Sequence, residues 1–212
     1  MFQATQNDAY LETVSRRIEG EYLTWCEQFL DIISGQLEAG MSCTLNDIGC
    51  CAGQFYKSLK RRNLPVSYRG FDIEPAYLEI ACRYFPELKD SVSTLDVEQS
   101  PPPQADITIV SATLEHLNDP FLAVARLLAS TNRIFLARSF IDGTALDQWL
   151  QKPGASAPYR IRQFTQDEFA AAVESQGFDI RFLEDRYTKS EPFEIAPGIV
   201  RVQRLALGIR RA

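Results

Sequence analysis

The apolar positions near the start of the chain recur at threes and fours: Leu11, Val14, Ile18, Tyr22, Trp25, Phe29, Ile32 and Ile33. That spacing predicts an amphipathic helix from about Tyr10, capped by Asn7 or Asp8. Gly20 is a natural break, and the segment should end between Gly35 and Gly40. The helix either packs on the main body or covers a ligand.

Beyond it the period shortens. Cys43–Ile48 reads as a strand, Gln54–Arg62 as a helix, and Val66–Phe71 as a second strand. Pro75 opens a helix that runs to about Tyr84. Ser91–Leu95 is a third short strand. Asp106–Val110 is a continuous apolar run, the mark of a buried central strand. Asp119-Pro120 starts a helix that reaches Ser130, and Arg133–Ala137 is another buried strand. Asp142–Leu150 reads as a short helix, and Gln151–Ile161, rich in Pro, Gly and Ser, as a loop. Thr165 and Glu168 form a capping-box pattern for a helix that Gly177 closes. Phe178–Tyr187 and Ile199–Ile209 read as two final strands, the second with an irregularity near Arg204.

Strands alternating with helices predict an α/β fold with a mostly parallel sheet. The 212 residues suit one domain, with residues 1–40 as an N-terminal helical cap and 41–212 as the core. Hydrophobic residues make up 45% and charged residues 24%, enough for a substantial core.

The net charge of -6 argues against nucleic acid as a partner, since phosphate binding draws on cationic surface. The short basic clusters Arg16-Arg17, Lys60-Arg61-Arg62 and Arg210-Arg211 read as solvated faces. Five cysteines without a CxxC pair give neither a disulfide framework nor a zinc site. Residues 1–10 lack the apolar stretch of a signal peptide, and no apolar run is long enough for a membrane span, so a cytoplasmic protein is expected.

The candidate chemistry lies at successive strand ends. The first strand runs into Asp47-Ile48-Gly49-Cys50-Cys51-Ala52-Gly53, where glycines let the backbone approach a ligand at a helix N-terminus. Asp72 ends the second strand, where a carboxylate can accept both hydroxyls of a ribose. Asp96 follows the third strand and can accept from an adenine amino group. Each acid alone could be a helix cap; the three in register are harder to explain that way.

Over about Thr44 to Phe140 the chain resembles the class I S-adenosylmethionine-dependent methyltransferases. The matching segments are the Asp47–Gly53 loop, Gly70-Phe71-Asp72-Ile73-Glu74-Pro75, and Ala105–Ser111 leading into Leu114-Glu115-His116-Leu117. The resemblance implies a Rossmann-like seven-stranded sheet, its last strand antiparallel, with helices on both faces. It implies S-adenosyl-L-methionine as cofactor and S-adenosyl-L-homocysteine as product. Asp47, Gly49, Cys50, Cys51 and Gly53 would lie at the methionine part, Asp72 at the ribose, Ile73 on the adenine, and Asp96 with Val97 at its amino edge. Ser111 would lie near the methionine end. Cys51 departs from the family, which usually has Gly there; a positive φ would cost a side chain about 1–2 kcal/mol.

His116, the sole histidine, is a candidate general base, with Glu115 beside it as a second candidate. Both could instead orient their loop. Some related methyltransferases of small RNAs use a similar segment to bind metal. Here Ala112 and the lack of a second histidine argue against a metal. Tyr22, Trp25, Arg138, Trp149, Tyr159 and Arg160 are candidates for the acceptor wall, and the arginines hint weakly at an anionic acceptor. The expected function is methyl transfer to a small molecule, to oxygen ahead of nitrogen, with a homodimer left open. The alternatives are a non-catalytic cofactor-binding scaffold and an NAD-dependent oxidoreductase. The latter fits poorly, because Gly49-x-Cys51-x-Gly53 is not G-x-G-x-x-G.

Overall fold

The computed structural model describes residues 8–20, 22–37, 41–151 and 158–212. Asn7 as a cap, the stretch to Gly40, and most of the Gln151–Ile161 loop lie outside them; so does the Tyr159 side chain.

Two helices open the fold, α1 (Asp8–Glu19) and α2 (Thr24–Gln36), separated at Gly20 as the sequence suggested. Then come β1 (Cys43–Ile48), α3 (Gln54–Arg62), β2 (Val66–Asp72), α4 (Pro75–Tyr84), β3 (Val92–Thr94), β4 (Ala105–Ser111), α5 (Pro120–Ala129) and β5 (Thr131–Asp142). The remainder is β6 (Leu146–Leu150), β7 (Tyr159–Thr165), α6 (Gln166–Glu174), β8 (Phe178–Glu184), β9 (Phe193–Ala196), β10 (Ile199–Arg201) and β11 (Gln203–Arg210).

The main sheet has the order β3-β2-β1-β4-β5-β11-β8. β11 runs antiparallel to both β5 and β8, and the first five pair in parallel. This is the expected Rossmann-like sheet with an inverted last strand.

Strand alternation sorts the core into two layers. Leu45, Ile107, Ile109, Ile134, Leu136, Leu205 and Leu207 face Phe29, Leu30 and Ile33 of α2 and Phe55 and Leu59 of α3. Ile48, Val110, Phe135, Ala137 and Ala206 face Val124 and Leu127 of α5 and Phe169 and Val173 of α6. A smaller cluster joins Val14 and Ile18 of α1 to Ala52 and to Tyr77 and Ile80 of α4, with Cys51 against it. The N-terminal helix therefore packs directly on the Asp47–Gly53 loop.

Four expectations change. β5 runs on to Asp142 rather than stopping at Ala137. Its added half includes buried Arg138 and Ser139, polar residues that interrupt the apolar pattern but have buried partners. Asp142–Leu150 is not a helix: Leu146–Leu150 is a strand, paired antiparallel with β7. Asp147 lies opposite Arg162 and binds both Arg160 and Arg162, an opposite-charge set that favours the hairpin. Part of the expected Gln151–Ile161 loop, Tyr159–Ile161, belongs to that hairpin. The last expected strand is divided at Val202, and β10 folds back on β9 around Gly198, whose φ is 75°. β7 also joins the end of β5 at Ile141 and Asp142. The β6–β7 hairpin thus extends from the C-terminal end of the sheet.

Candidate active site

The ends of β1, β2, β3 and β4 bring the sequence-derived residues to one edge. The amides of Gly49 and Cys50 both donate to the Phe71 carbonyl, at 2.8 and 3.0 Å. The next amide, that of Cys51, donates to Asp72 Oδ2 at 2.9 Å. Asp72 Oδ1 accepts the Glu74 amide at 3.0 Å. The first loop is therefore pinned to the end of β2, and the carboxylate that pins it lies between them.

Three loop residues adopt the left-handed region: Gly49 (φ 70°), Cys51 (φ 50°) and Gly53 (φ 84°). A Cβ on Gly49 would fall 2.1 Å from Thr113 Oγ1, so a side chain there would have to displace Thr113 as well as adopt a positive φ. Cys51 carries the positive φ anticipated for the family glycine, at a cost of about 1–2 kcal/mol. The hydrogen bond that its amide donates to Asp72 and its packing on the Val14–Ile18 cluster offset that strain.

Asp47 points into the interior, where its Oδ2 accepts the Tyr68 hydroxyl at 2.8 Å. Burial pushes its carboxyl up to about 7; the Tyr68 hydrogen bond opposes this, and the nearby Asp72 charge adds to it. Burial also raises Asp72, against the amides of Glu74, Cys51 and Ile73. The Cys50 thiol is buried beside these groups and raised well above its ordinary value, chiefly by desolvation. The Cys51 thiol is pushed up to about 11, again mainly by burial, so neither is a reactive thiolate.

Ile73 is 44% exposed at this rim, a large apolar side chain beside Asp72. Asp96 is half-buried, and its Oδ1 accepts the Glu98 amide at 2.9 Å. The Val97 side chain is buried in the core. Ser111 ends β4 in register with Arg138.

Past Ser111 the chain turns through Ala112 (φ 52°) into a short 3-10 turn, Leu114–His116. Glu115 is buried, and its Oε2 accepts Ser139 Oγ at 2.7 Å. His116 is half-buried at the end of the turn. Thr113 and Ser139 were not singled out from the sequence. Thr113 closes over Gly49 and donates to the Ser111 carbonyl at 3.2 Å; Ser139 anchors the 3-10 turn to β5.

The expected acceptor wall is rearranged. Tyr22 turns away, under Lys57 and Arg61 on α3. Arg138 is buried and bound twice by Asp185, at 2.9 and 3.0 Å, and by Gln203 Oε1 at 2.6 Å. Burial alone would raise Asp185; the Arg138 charge and the Thr188 donors overcome it and hold the carboxyl low. Trp25 and Tyr187 both approach the Arg138 guanidinium, with ring centres at 5.9 and 5.6 Å. Trp149 is 64% exposed on the β6–β7 hairpin, and Arg160 is bound by Asp147.

Residues 46–133 match the methyltransferase domain family, across the segment that holds the pinned loop and Asp72. That segment carries a methyltransferase domain. Two of the solved structures similar to the chain hold S-adenosylmethionine. No protein of curated function matches the chain by sequence. Several solved methyltransferases share its fold. One is an S-adenosylmethionine-dependent methyltransferase of Clostridium acetobutylicum, with a TM-score of 0.68 at 8% identity, covering 97% of this chain and 99% of that one. Another is the magnesium protoporphyrin IX methyltransferase of Synechocystis with bound S-adenosylmethionine, at 0.63 and 16%, covering 99% and 93%. A third is an amino pentose methyltransferase of Micromonospora echinaspora, also with the cofactor bound, at 0.63 and 18%, covering 96% and 97%. At such identities the likeness speaks to the fold. No helix among the described residues is long and apolar enough to cross a membrane.

Proposed function

We propose that the chain transfers a methyl group to a small molecule, to a hydroxyl oxygen in preference to nitrogen, with His116 as general base. The observation that carries this reading is the position of His116, half-buried just past the β4 end at Ser111. A hydroxyl nucleophile must lose a proton as it attacks, and a neutral imidazole nitrogen can accept it. Glu115 is buried against Ser139, so its part is to fix the turn that presents His116. The net charge of -6 supports a small molecule over nucleic acid. Two of the similar structures, named for a porphyrin and for an amino pentose, act on small molecules.

The residues of the rim suit the cofactor. Asp72 accepts backbone amides at both oxygens, and the acceptor capacity a carboxylate retains suits a ribose diol. Ile73 offers an exposed apolar surface for the purine. Asp96 keeps Oδ2 for the amino edge, with the Val97 backbone alongside. Gly49, Cys50, Cys51, Gly53 and Ser111 would bound the methionine part, whereas Asp47, expected there from the sequence, is turned beneath the loop against Tyr68. When bound, the cofactor supplies a methyl activated on a positively charged sulfur. The chain contributes alignment, exclusion of water and removal of the acceptor proton.

The test is transfer from labelled S-adenosylmethionine to paired alcohol and amine acceptors. His116→Ala is expected to lower kcat about 100-fold or more on the alcohol while S-adenosylhomocysteine affinity holds. Near-normal turnover by the variant would remove His116 from the chemistry. Binding without transfer to any acceptor would favour the scaffold.

A further inference from the structure

The turn after β8 carries two non-glycine residues in the left-handed region, Lys189 (φ 55°) and Ser190 (φ 49°). Such a turn persists only where its surroundings over-determine it. Here Asp185, fully buried, accepts the Thr188 amide and hydroxyl at 3.0 and 2.7 Å. Ser190 Oγ accepts the Asp185 amide and donates to the Gln203 carbonyl. Arg138 binds the same carboxylate in bidentate fashion. Gln28, also buried, clamps the outer side by donating to the Glu184 carbonyl and accepting the Arg186 amide. All of this holds in place one large exposed side chain, Tyr187, at 62% exposure.

Tyr187 stands at the C-terminal end of the sheet. Its ring lies against Arg138, which is the β5 neighbour of Ser111. Trp25 of α2 approaches the same guanidinium. An aromatic pair is thus fixed beside the strand ends from which the methyl-transfer site is built.

Five arginines at this end are already engaged by carboxylates. Asp185 binds Arg138, Asp142 binds Arg204, Asp147 binds Arg160 and Arg162, and Asp31 binds Arg186. A carboxylate or phosphate on a ligand would have to compete with these partners.

We propose that Tyr187 and Trp25 form the stacking wall of the acceptor site, and that the acceptor presents an uncharged ring, aromatic or sugar. Both ring types stack on aromatic faces without a counter-charge. This rests on the small-molecule reading above and narrows it. It also reverses the hint of an anionic acceptor drawn from the arginines.

The experiment is saturation-transfer NMR on the full chain with saturating S-adenosylhomocysteine, using catechol, methyl xyloside and dihydroxybenzoate as probes. At least one neutral ring is expected to bind, and dihydroxybenzoate about fivefold more weakly than catechol. Catechol ahead of the xyloside assigns an aromatic acceptor; the reverse assigns a sugar. Tyr187→Ala should weaken the neutral probe about tenfold, and Tyr187→Phe by less than about threefold. The exposed position keeps both variants folded, whereas Trp25 packs on the core. Equal or tighter binding of dihydroxybenzoate, absence of neutral-ring binding, or an unchanged Tyr187→Ala overturns the proposal. Failure of the wild-type chain to bind S-adenosylhomocysteine by calorimetry overturns the cofactor reading itself.

Discussion

Asp72 Oδ2 accepts the amide of Cys51 at 2.9 Å, so one carboxylate ties the first loop to the end of β2. Asp72→Ala removes both that tie and the acceptor proposed for the ribose. Calorimetry with S-adenosylhomocysteine should show affinity weaker by about 1–3 kcal/mol. Asp72→Asn still accepts one amide and should lose less. Unchanged affinity in Asp72→Ala would place the ribose elsewhere.

Cys51 sets strain against packing. Cys51→Gly relieves the φ of 50° but gives up contact with the Val14–Ile18 cluster and loosens the unfolded chain. Urea unfolding is expected to stay within about 1 kcal/mol of wild type. Cys51→Val places a β-branched residue in the same conformation and should lose at least about 1–2 kcal/mol. A Val variant as stable as wild type would contradict the left-handed loop.

Asp47 makes stability depend on pH. Its carboxyl moves from an ordinary value of 3.8 to about 7 in the fold, facing Tyr68, Cys50 and Asp72. Between those values the folded chain holds a proton that the unfolded chain has released. The contribution is therefore complete below about pH 4 and lost as pH rises through about 7. The full displacement corresponds to about 4 kcal/mol. Relative to Asp47→Asn, the wild-type Tm should fall between about pH 5 and pH 8. Parallel Tm profiles would mean that Asp47 is ionised throughout.

The Arg138–Asp185 pair has the opposite sign. Asp185 is held below its ordinary 3.8, so its contribution is present above that value and lost as pH falls through the lower folded value. Asp185→Ala leaves Arg138 buried without its carboxylate, which should cost about 3–5 kcal/mol in urea unfolding. Replacing both, as Arg138→Met with Asp185→Leu, should recover much of that loss. If the double variant recovers nothing, the pair's value lies in the turn it holds rather than in its charges.

The first half of the fold was legible because its punctuation is local. Gly49, Gly53 and Pro75 mark the βα turns, and Asp119 caps α5 by accepting the Leu122 amide. The site acids followed from strand ends fixed in this way. The second half depends on partners distant in sequence. Arg138 and Ser139 look like the end of a strand until Asp185 and Glu115 are known to meet them. Leu146–Leu150 has a short alternation that a helical reading absorbs, and only Arg160 and Arg162 decide for the hairpin. Thr113 carried no signal, since its role is to fill the space above Gly49. Tyr187 carried none either, because its setting is made by Arg138, Gln28 and Gln203 together.

The β6–β7 and β9–β10 hairpins both branch from the C-terminal half of the chain, whereas the loop and acids of the cofactor rim precede β5. Neither hairpin supplies a hydrogen bond to the contact between Asp72 and Cys51. The two hairpins and the Asp72–Cys51 tie are therefore modular with respect to each other: either hairpin can be exchanged without removing a hydrogen bond that holds the first loop to the end of β2.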